Sequence, residues 1–466
     1  MTFNSDKIFY NLYNKEINEK ISLYSSINWK YSYGNIIGCK VDDDHKINIY
    51  GVLSFYSTTS DYIDVIEKCT LLFDENKYPI ILINILNGGG LIYNSHFLLE
   101  ALSPKISVNM YAAFRNKGLF KDNSNIKQVI SQFYDIDNCE SLSYKSFTRK
   151  QHTIDYGDSV SDSLLGPIFL SGMPVKKRLI SLKQKLKNPR NPTDIIVYTD
   201  GFSYSATSLL IKFLQYYGGC ITVGYFPKPN LSKEYYDSSL SPSSILDHNS
   251  LKLINPDGFK TLSEKYKYNL QFTGSQIFYS PEDLSHPLEY EVTPIDEKVN
   301  IYLNNLNFLN PSSLFNDKEN FEVFINESLR IFQEYKERCN PKNKKLLLIT
   351  DECKGKFGNE YTHGGYACSE SGSWDRTTCI PSYCDIGYIF DHTHQKCIVE
   401  ACKLGDPKIL ILIIVISSIL LVFIISILIC YCIHKRSKER KLREYNINKI
   451  SLAEGVNTDE ITETLQ

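Results

Sequence analysis

The chain has 466 residues, room for two to three domains, and its 42% hydrophobic and 22% charged residues exclude a disordered protein. A formal net charge of −2 gives no electrostatic footing for nucleic acid, which is excluded as a partner on that ground. Residues 1–44 are a leading segment rich in Asn, Lys and Tyr. Its first 28 residues lack the charged stretch followed by an apolar stretch that makes a signal peptide, and the segment reads as the incomplete start of a longer chain.

From residue 45 to about 230 strands and helices alternate. The spacing predicts a strand over Ile47–Phe55, a helix over Asp61–Asp74 and a buried strand over Pro79–Ile85. Asn87-Gly88-Gly89-Gly90 follows, then an apolar helix from Leu91 to Leu102. Residues 121–162 are polar and irregular, and Val175–Lys187 reads as a basic helix. Ile195, Ile196, Val197 and Tyr198 form a short β-branched strand that Asp200-Gly201 breaks. Ala206, Leu209, Leu210, Phe213, Leu214 and Tyr217 then recur at helical spacing and predict one buried face. Ser205 falls in the first turn of that helix, where free backbone N–H groups and the helix dipole favour negative charge. A serine so placed suits a nucleophile with a backbone oxyanion hole, and equally a cap or turn residue like its neighbours Ser203 and Ser208.

Beyond residue 230 come a Ser-rich loop and short strands to about 300, then a helical extension over 301–349 with a helix near 317–338. Residues 350–402 are short on apolar residues and hold Cys353, Cys368, Cys379, Cys384, Cys397 and Cys402, six of the chain's 13 cysteines. An even set in so small a segment predicts three disulfides of open connectivity, with zinc bound alongside His363, His392 and His394 the lesser reading. Ile409–Ile433 is uncharged and apolar, the expected transmembrane helix, and the basic run His434–Arg443 places the 434–466 tail in the cytoplasm. The expected location is therefore a single-pass membrane protein, at the plasma membrane, with an extracellular N-terminal region. Cys430 and Cys432 at the inner boundary are palmitoylation candidates, and Asn230 and Asn326 lie in glycosylation sequons.

Phe202-Ser203-Tyr204-Ser205-Ala206-Thr207 resembles the nucleophile motif of the tail-specific (carboxyl-terminal processing) serine proteases. The Thr-Asp-Gly lead-in at 199–201 is similar to the eukaryotic and chlamydial branch, that of the chlamydial protease-like activity factors. The strand, Asn-x-Gly-Gly and helix element at 79–102 resembles the family's oxyanion element, with Asn84 where the family usually carries an aspartate. The segment from Pro287 to Asp296 resembles a late strand of the same branch.

The resemblance covers residues 45 to 300 and implies a crotonase/ClpP-like spiral of ββα units, α/β in class, ahead of the disulfide-rich module and the transmembrane helix. Together with the expected transmembrane helix, it implies a membrane-anchored serine-type endopeptidase acting on proteins or peptides without a cofactor or metal. Ser205 is the implied nucleophile, with Gly88, Gly89 and Ala206 forming the oxyanion hole. Glu289 or Glu291 is placed to orient the base. In the bacterial branch the base is a lysine, whose position here falls on Asn230; Lys228, between Pro227 and Pro229, is the lysine the sequence offers. The chlamydial branch uses an upstream histidine; His45 lies in a polar turn and His96 in the helix after the glycines. The other reading is an inactive relative that binds peptides or acts as a surface receptor or adhesion protein. Oligomeric state is not legible.

Overall fold

The computed structural model describes residues 28–34, 36–106, 110–115, 134–135, 151–155, 161–169, 173–200, 203–225, 244–246, 272–279, 295–299, 318–357, 361–385, 388–391, 395–399 and 425–446, with single positions between. In chain order its elements begin with strands β1 (Tyr31–Tyr33), β2 (Ile37–Asp42) and β3 (Ile47–Val52), helix α1 (Ser60–Asp74), strand β4 (Ile80–Ile83) and helix α2 (Ile92–Leu102). Four strands follow, β5 (Tyr111–Arg115), β6 (Tyr134–Asp135), β7 (Gln151–Asp155) and β8 (Ser161–Phe169), then helix α3 (Met173–Lys183). Next come β9 (Ile195–Thr199), α4 (Ala206–Tyr216), β10 (Ile221–Tyr225), β11 (Ser244–Leu246), β12 (Phe272–Phe278), β13 (Glu297–Val299) and α5 (Lys318–Glu334).

A seven-stranded sheet in the order β1-β2-β3-β4-β9-β10-β13 carries the fold. β1, β2 and β3 pair antiparallel, while β3 through β13 pair parallel. Its central strand β4 is apolar and buried at every position because both faces are covered. Alternate residues go to opposite cores: Tyr50, Leu82 and Val197 pack on one face with α1, α2, α3 and α4, and Ile49, Ile81 and Ile196 on the other with α5. Each such aliphatic side chain, fully buried, contributes roughly 1.5–3 kcal/mol. A second, antiparallel sheet has the order β11-β12-β5-β8-β6, with β7 paired to β8.

The cysteine-rich segment forms a three-stranded sheet of β14 (Leu348–Ile349), β15 (Thr362–Cys368) and β16 (Trp374–Cys384), and a hairpin of β17 (Tyr388–Asp391) and β18 (Lys396–Val399). Disulfides join Cys339 to Cys368, Cys353 to Cys379 and Cys384 to Cys397, and a fourth joins Cys39 on β2 to Cys69 on α1. Cys339, upstream of the expected set, takes a place in the pairing, and Cys402 lies outside the described residues. These sulfurs bond one another, which leaves no thiolate among them for zinc. Residues 1–402 form one compact unit and residues 403–466 another.

The fold is mixed α/β with several disulfides, but the expected architecture is corrected at its membrane end. Among the described residues no helix is long and apolar enough to cross a membrane. The described helix of the tail, α6 (425–446), takes in only the last part of the apolar run before the charges from Lys435 onward occupy it; residues 409–424 lie outside the described residues. Charge along half its length would cost several kcal/mol per group in hydrocarbon. The single-pass location with an extracellular region and a cytoplasmic tail is withdrawn with the span, and the membrane with it as a partner.

Candidate active site

β4 and β9 are parallel neighbours with Ile83 opposite Tyr198, so the chain leaves both at the same carboxyl edge of the sheet. This is the edge where open α/β sheets place ligands. The glycine loop after β4 and the serine turn after β9 meet there and are tied together. Leu86 N–H donates to Asp200 Oδ2 at 2.7 Å, and Tyr204 N–H donates to the Asn87 carbonyl at 3.3 Å. Asn87 braces its own loop: its amide donates to Asn84 Oδ1 at 2.8 Å, and its Oδ1 accepts from Gly89 N–H at 2.9 Å.

Gly89 is held at φ +97°, and a Cβ there would lie 2.6 Å from the Tyr204 carbonyl oxygen and 2.8 Å from Ser205 Cβ. Only glycine fits so close a crossing. Beyond it, Phe55 N–H donates to the Gly89 carbonyl at 2.8 Å and Asn94 Nδ2 to the Phe55 carbonyl at 2.9 Å, fixing the segment after β3 alongside the loop.

Ser205 is the N-cap of α4, with φ 52° and ψ −121°. A non-glycine residue at positive φ is uncommon, and such strain concentrates where a side chain must be presented at a sharp strand-to-helix turn. Of the three serines from 203 to 208, Ser203 and Ser208 are fully buried, Ser203 sharing a hydrogen bond with Thr199 at 2.8 Å. Ser205 alone of the three is half-exposed. Its hydroxyl makes no hydrogen bond to any described residue. Ser95 of α2 donates to the Ala206 carbonyl at 2.8 Å and locks α4 against α2. The α4 helix is buried on all sides rather than one, Lys212 and Gln215 included. Lys212 Nζ donates to the Leu288 carbonyl at 2.7 Å.

Two of the three expected oxyanion donors have N–H groups that bond to no described residue. Ala206 opens α4, so its N–H has no intrahelical acceptor. Gly88 N–H bonds to no described residue, and the space beside its Cα is open. Gly89 is the correction: its N–H is taken by Asn87 Oδ1, and the residue serves the site by its missing side chain.

Lys228, Glu289 and Glu291 lie outside the described residues, as does Asn230. His45 precedes β3 and therefore sits at the opposite edge of the sheet, paired with Asp42 at 3.1 Å. His96 is buried, its Nε2 2.8 Å from Glu100 Oε1 and 3.0 Å from the Val108 carbonyl. A third upstream histidine, His152, which the sequence reading passes over, is in β7 opposite Leu164. Asp200 and Asn87 are the other positions missed; the dipeptide Asp200-Gly201 looks like a strand breaker, although an aspartate at a strand's carboxyl end is also a ready acceptor for a facing loop.

No protein-family model matches the chain, and no curated protein does. Among solved structures it is similar to mature CPAF, the chlamydial protease-like activity factor, at 12% identity over 64% of this chain and 56% of that one, with a TM-score of 0.32. It is similar to a candidate peptidase from Parabacteroides merdae at 14% identity, 65% and 67% coverage and a TM-score of 0.32. A lipoprotein from Streptococcus agalactiae aligns at 9% identity, 57% and 66% coverage and a TM-score of 0.27. The chain thus spans little over half the length of CPAF. The likeness is a weak one.

Proposed function

We propose that this unit is a serine-type peptidase of tail-specific type, with Ser205 as nucleophile and protein or peptide as substrate. The observation that carries the reading is the conformation of Ser205: a half-exposed serine at positive φ, capping a buried helix and crossing a glycine loop whose backbone leaves no room for a side chain. In this reading Ser205 Oγ attacks the peptide carbonyl and its proton passes to a base. The N–H groups of Ala206 and Gly88 take the negative charge that develops on the carbonyl oxygen, a contribution of several kcal/mol per pre-aimed donor. Lys228 and Glu289 are proposed as base and orienting acid. A second reading, an inactive relative that binds peptides as a receptor or adhesion protein does, is favoured by one fact: no described titratable side chain hydrogen-bonds to Ser205 Oγ.

Labelling with a serine-reactive fluorophosphonate separates the two. An active site labels in the full chain, and Ser205→Ala loses at least about 100-fold of the signal, because only an activated serine reacts. A folded protein that does not label, or one whose Ser205→Ala variant labels equally, would leave the binding reading.

A further inference from the structure

Away from Ser205, the end of α2, the segment after α3 and the disulfide-bonded module enclose a cavity of about 280 Å³. Three lysines line it, and they differ in how their charge is met. Lys183 is buried and spent, its Nζ 2.7 Å from Glu100 Oε2 and 2.6 Å from the Ile106 carbonyl. Lys354 is exposed at the rim, with no ion pair among the described residues. Lys105 is half-buried, and among the described residues its ammonium meets only the neutral Asn191 Oδ1 and the face of the Tyr383 ring, 5.4 Å from the centroid.

An ammonium carries three donors, and a half-buried one without a carboxylate contact is short of acceptors. Asp194 and Asp351 act on it only from beyond contact distance, and burial lowers its pKa, a second sign of an unmet charge. The acids on the cavity are at its exposed edge. Asp351 faces solvent, and Asp385 is committed to His363 Nε2 at 2.7 Å. Among the described residues no group of three or more His, Cys, Asp or Glu is placed to hold a metal ion.

We propose that this cavity binds a small oxyanion, a phosphate or a carboxylate, on the Lys105 ammonium, with Lys354 at its rim. The volume lies just below that of drug-sized ligand sites, which limits the occupant to a small anion or the charged end of a larger molecule.

Calorimetric titration of the full chain carrying Ser205→Ala tests this independently of catalysis, with inorganic phosphate and acetate in separate arms against chloride at equal ionic strength. Saturable one-to-one binding is expected for at least one of them, with Kd on the order of 1 mM. The arm that saturates identifies the source. Lys105→Gln should weaken binding about tenfold or more, while Lys105→Arg keeps it. Lys354→Gln, at an exposed position, should weaken it about threefold, and it carries the test if Lys105→Gln does not fold. Saturation in neither arm, or unchanged affinity in the folded lysine-to-glutamine variants, overturns the proposal.

Discussion

Ser205 is in a backbone conformation that costs a non-glycine residue about 1–3 kcal/mol. The surrounding contacts enforce it: Leu209 N–H donates to the Ser205 carbonyl at 3.0 Å, Thr207 N–H to the Tyr204 carbonyl at 3.1 Å, and Gly89 fills the space on the other side. If the strain is retained for presentation of the hydroxyl, removing the side chain altogether should relieve it. Ser205→Gly is expected to raise stability by about 1 kcal/mol, net of the entropy glycine adds to the unfolded chain, and to abolish labelling. Ser205→Ala keeps the strain and should leave stability within about 0.5 kcal/mol. Urea midpoints for the three proteins decide the matter. A Ser205→Gly variant less stable than Ser205→Ala would mean that the turn is not strained.

At the level of elements, β13 is held to β10 by a buried acid. Asp296 Oδ2 accepts from Thr222 N–H and Thr222 Oγ1, both at 2.8 Å, and its Oδ1 accepts from Asn343 Nδ2 at 2.7 Å. Burial nevertheless wins over these hydrogen bonds and pushes the carboxyl from its ordinary 3.8 up to about 6. A folded-state pKa above the unfolded one means that the folded protein binds the proton more tightly. The contribution to stability is thus fully present below about 3.8 and is lost as pH rises through about 6, at most about 3 kcal/mol across that window. Asp296→Asn, with Asn343 turning its amide to match, should flatten the fall in urea midpoint between about pH 4 and pH 7 relative to the parent. An identical slope in both proteins would show that Asp296 does not titrate there.

The elements themselves were largely legible. Strands β4 and β9 read directly from β-branched runs, because a strand covered on both faces needs apolar residues throughout. The helix after Ser205 read correctly in position but not in environment. Its apolar periodicity predicts one buried face, while Lys212 and Gln215 are buried through hydrogen bonds to Leu288 and Thr222 that local periodicity does not register. The same problem hid the Leu86–Asp200 tie and the spent N–H of Gly89, since pairing within and between loops depends on strand register that local composition does not carry. For the apolar run at 409–433, no described helix is long and apolar enough to cross a membrane.

In the whole unit of residues 1–402 the seven-stranded sheet is a shared wall between two cores. On one side Tyr50, Leu82 and Val197 pack against α1, α2 and α4, with Cys220 buried and unpaired among them. On the other side Ile49, Ile81, Ile196 and Tyr198 pack with Phe324 and Tyr335, and also with Tyr366, Cys368 and Trp374 of the disulfide-bonded module. Trp374 Nε1 donates to the Tyr335 carbonyl at 3.0 Å, and Asn343 reaches Asp296. Strands whose alternate side chains belong to different cores cannot lose one core and keep the other in register, so the two should melt together.

Each core carries its own reporter. Trp29 and Trp374, the chain's 2 tryptophans, both pack in the second core, and Cys220 in the first. Tryptophan fluorescence and mass-resolved alkylation of Cys220, followed through one urea titration, should give midpoints within about 0.3 M of each other. A fluorescence change well ahead of Cys220 exposure would mean that the module and α5 unfold as a separate layer. The disulfide-bonded segment would then be an appended domain rather than one wall of the protein's second core.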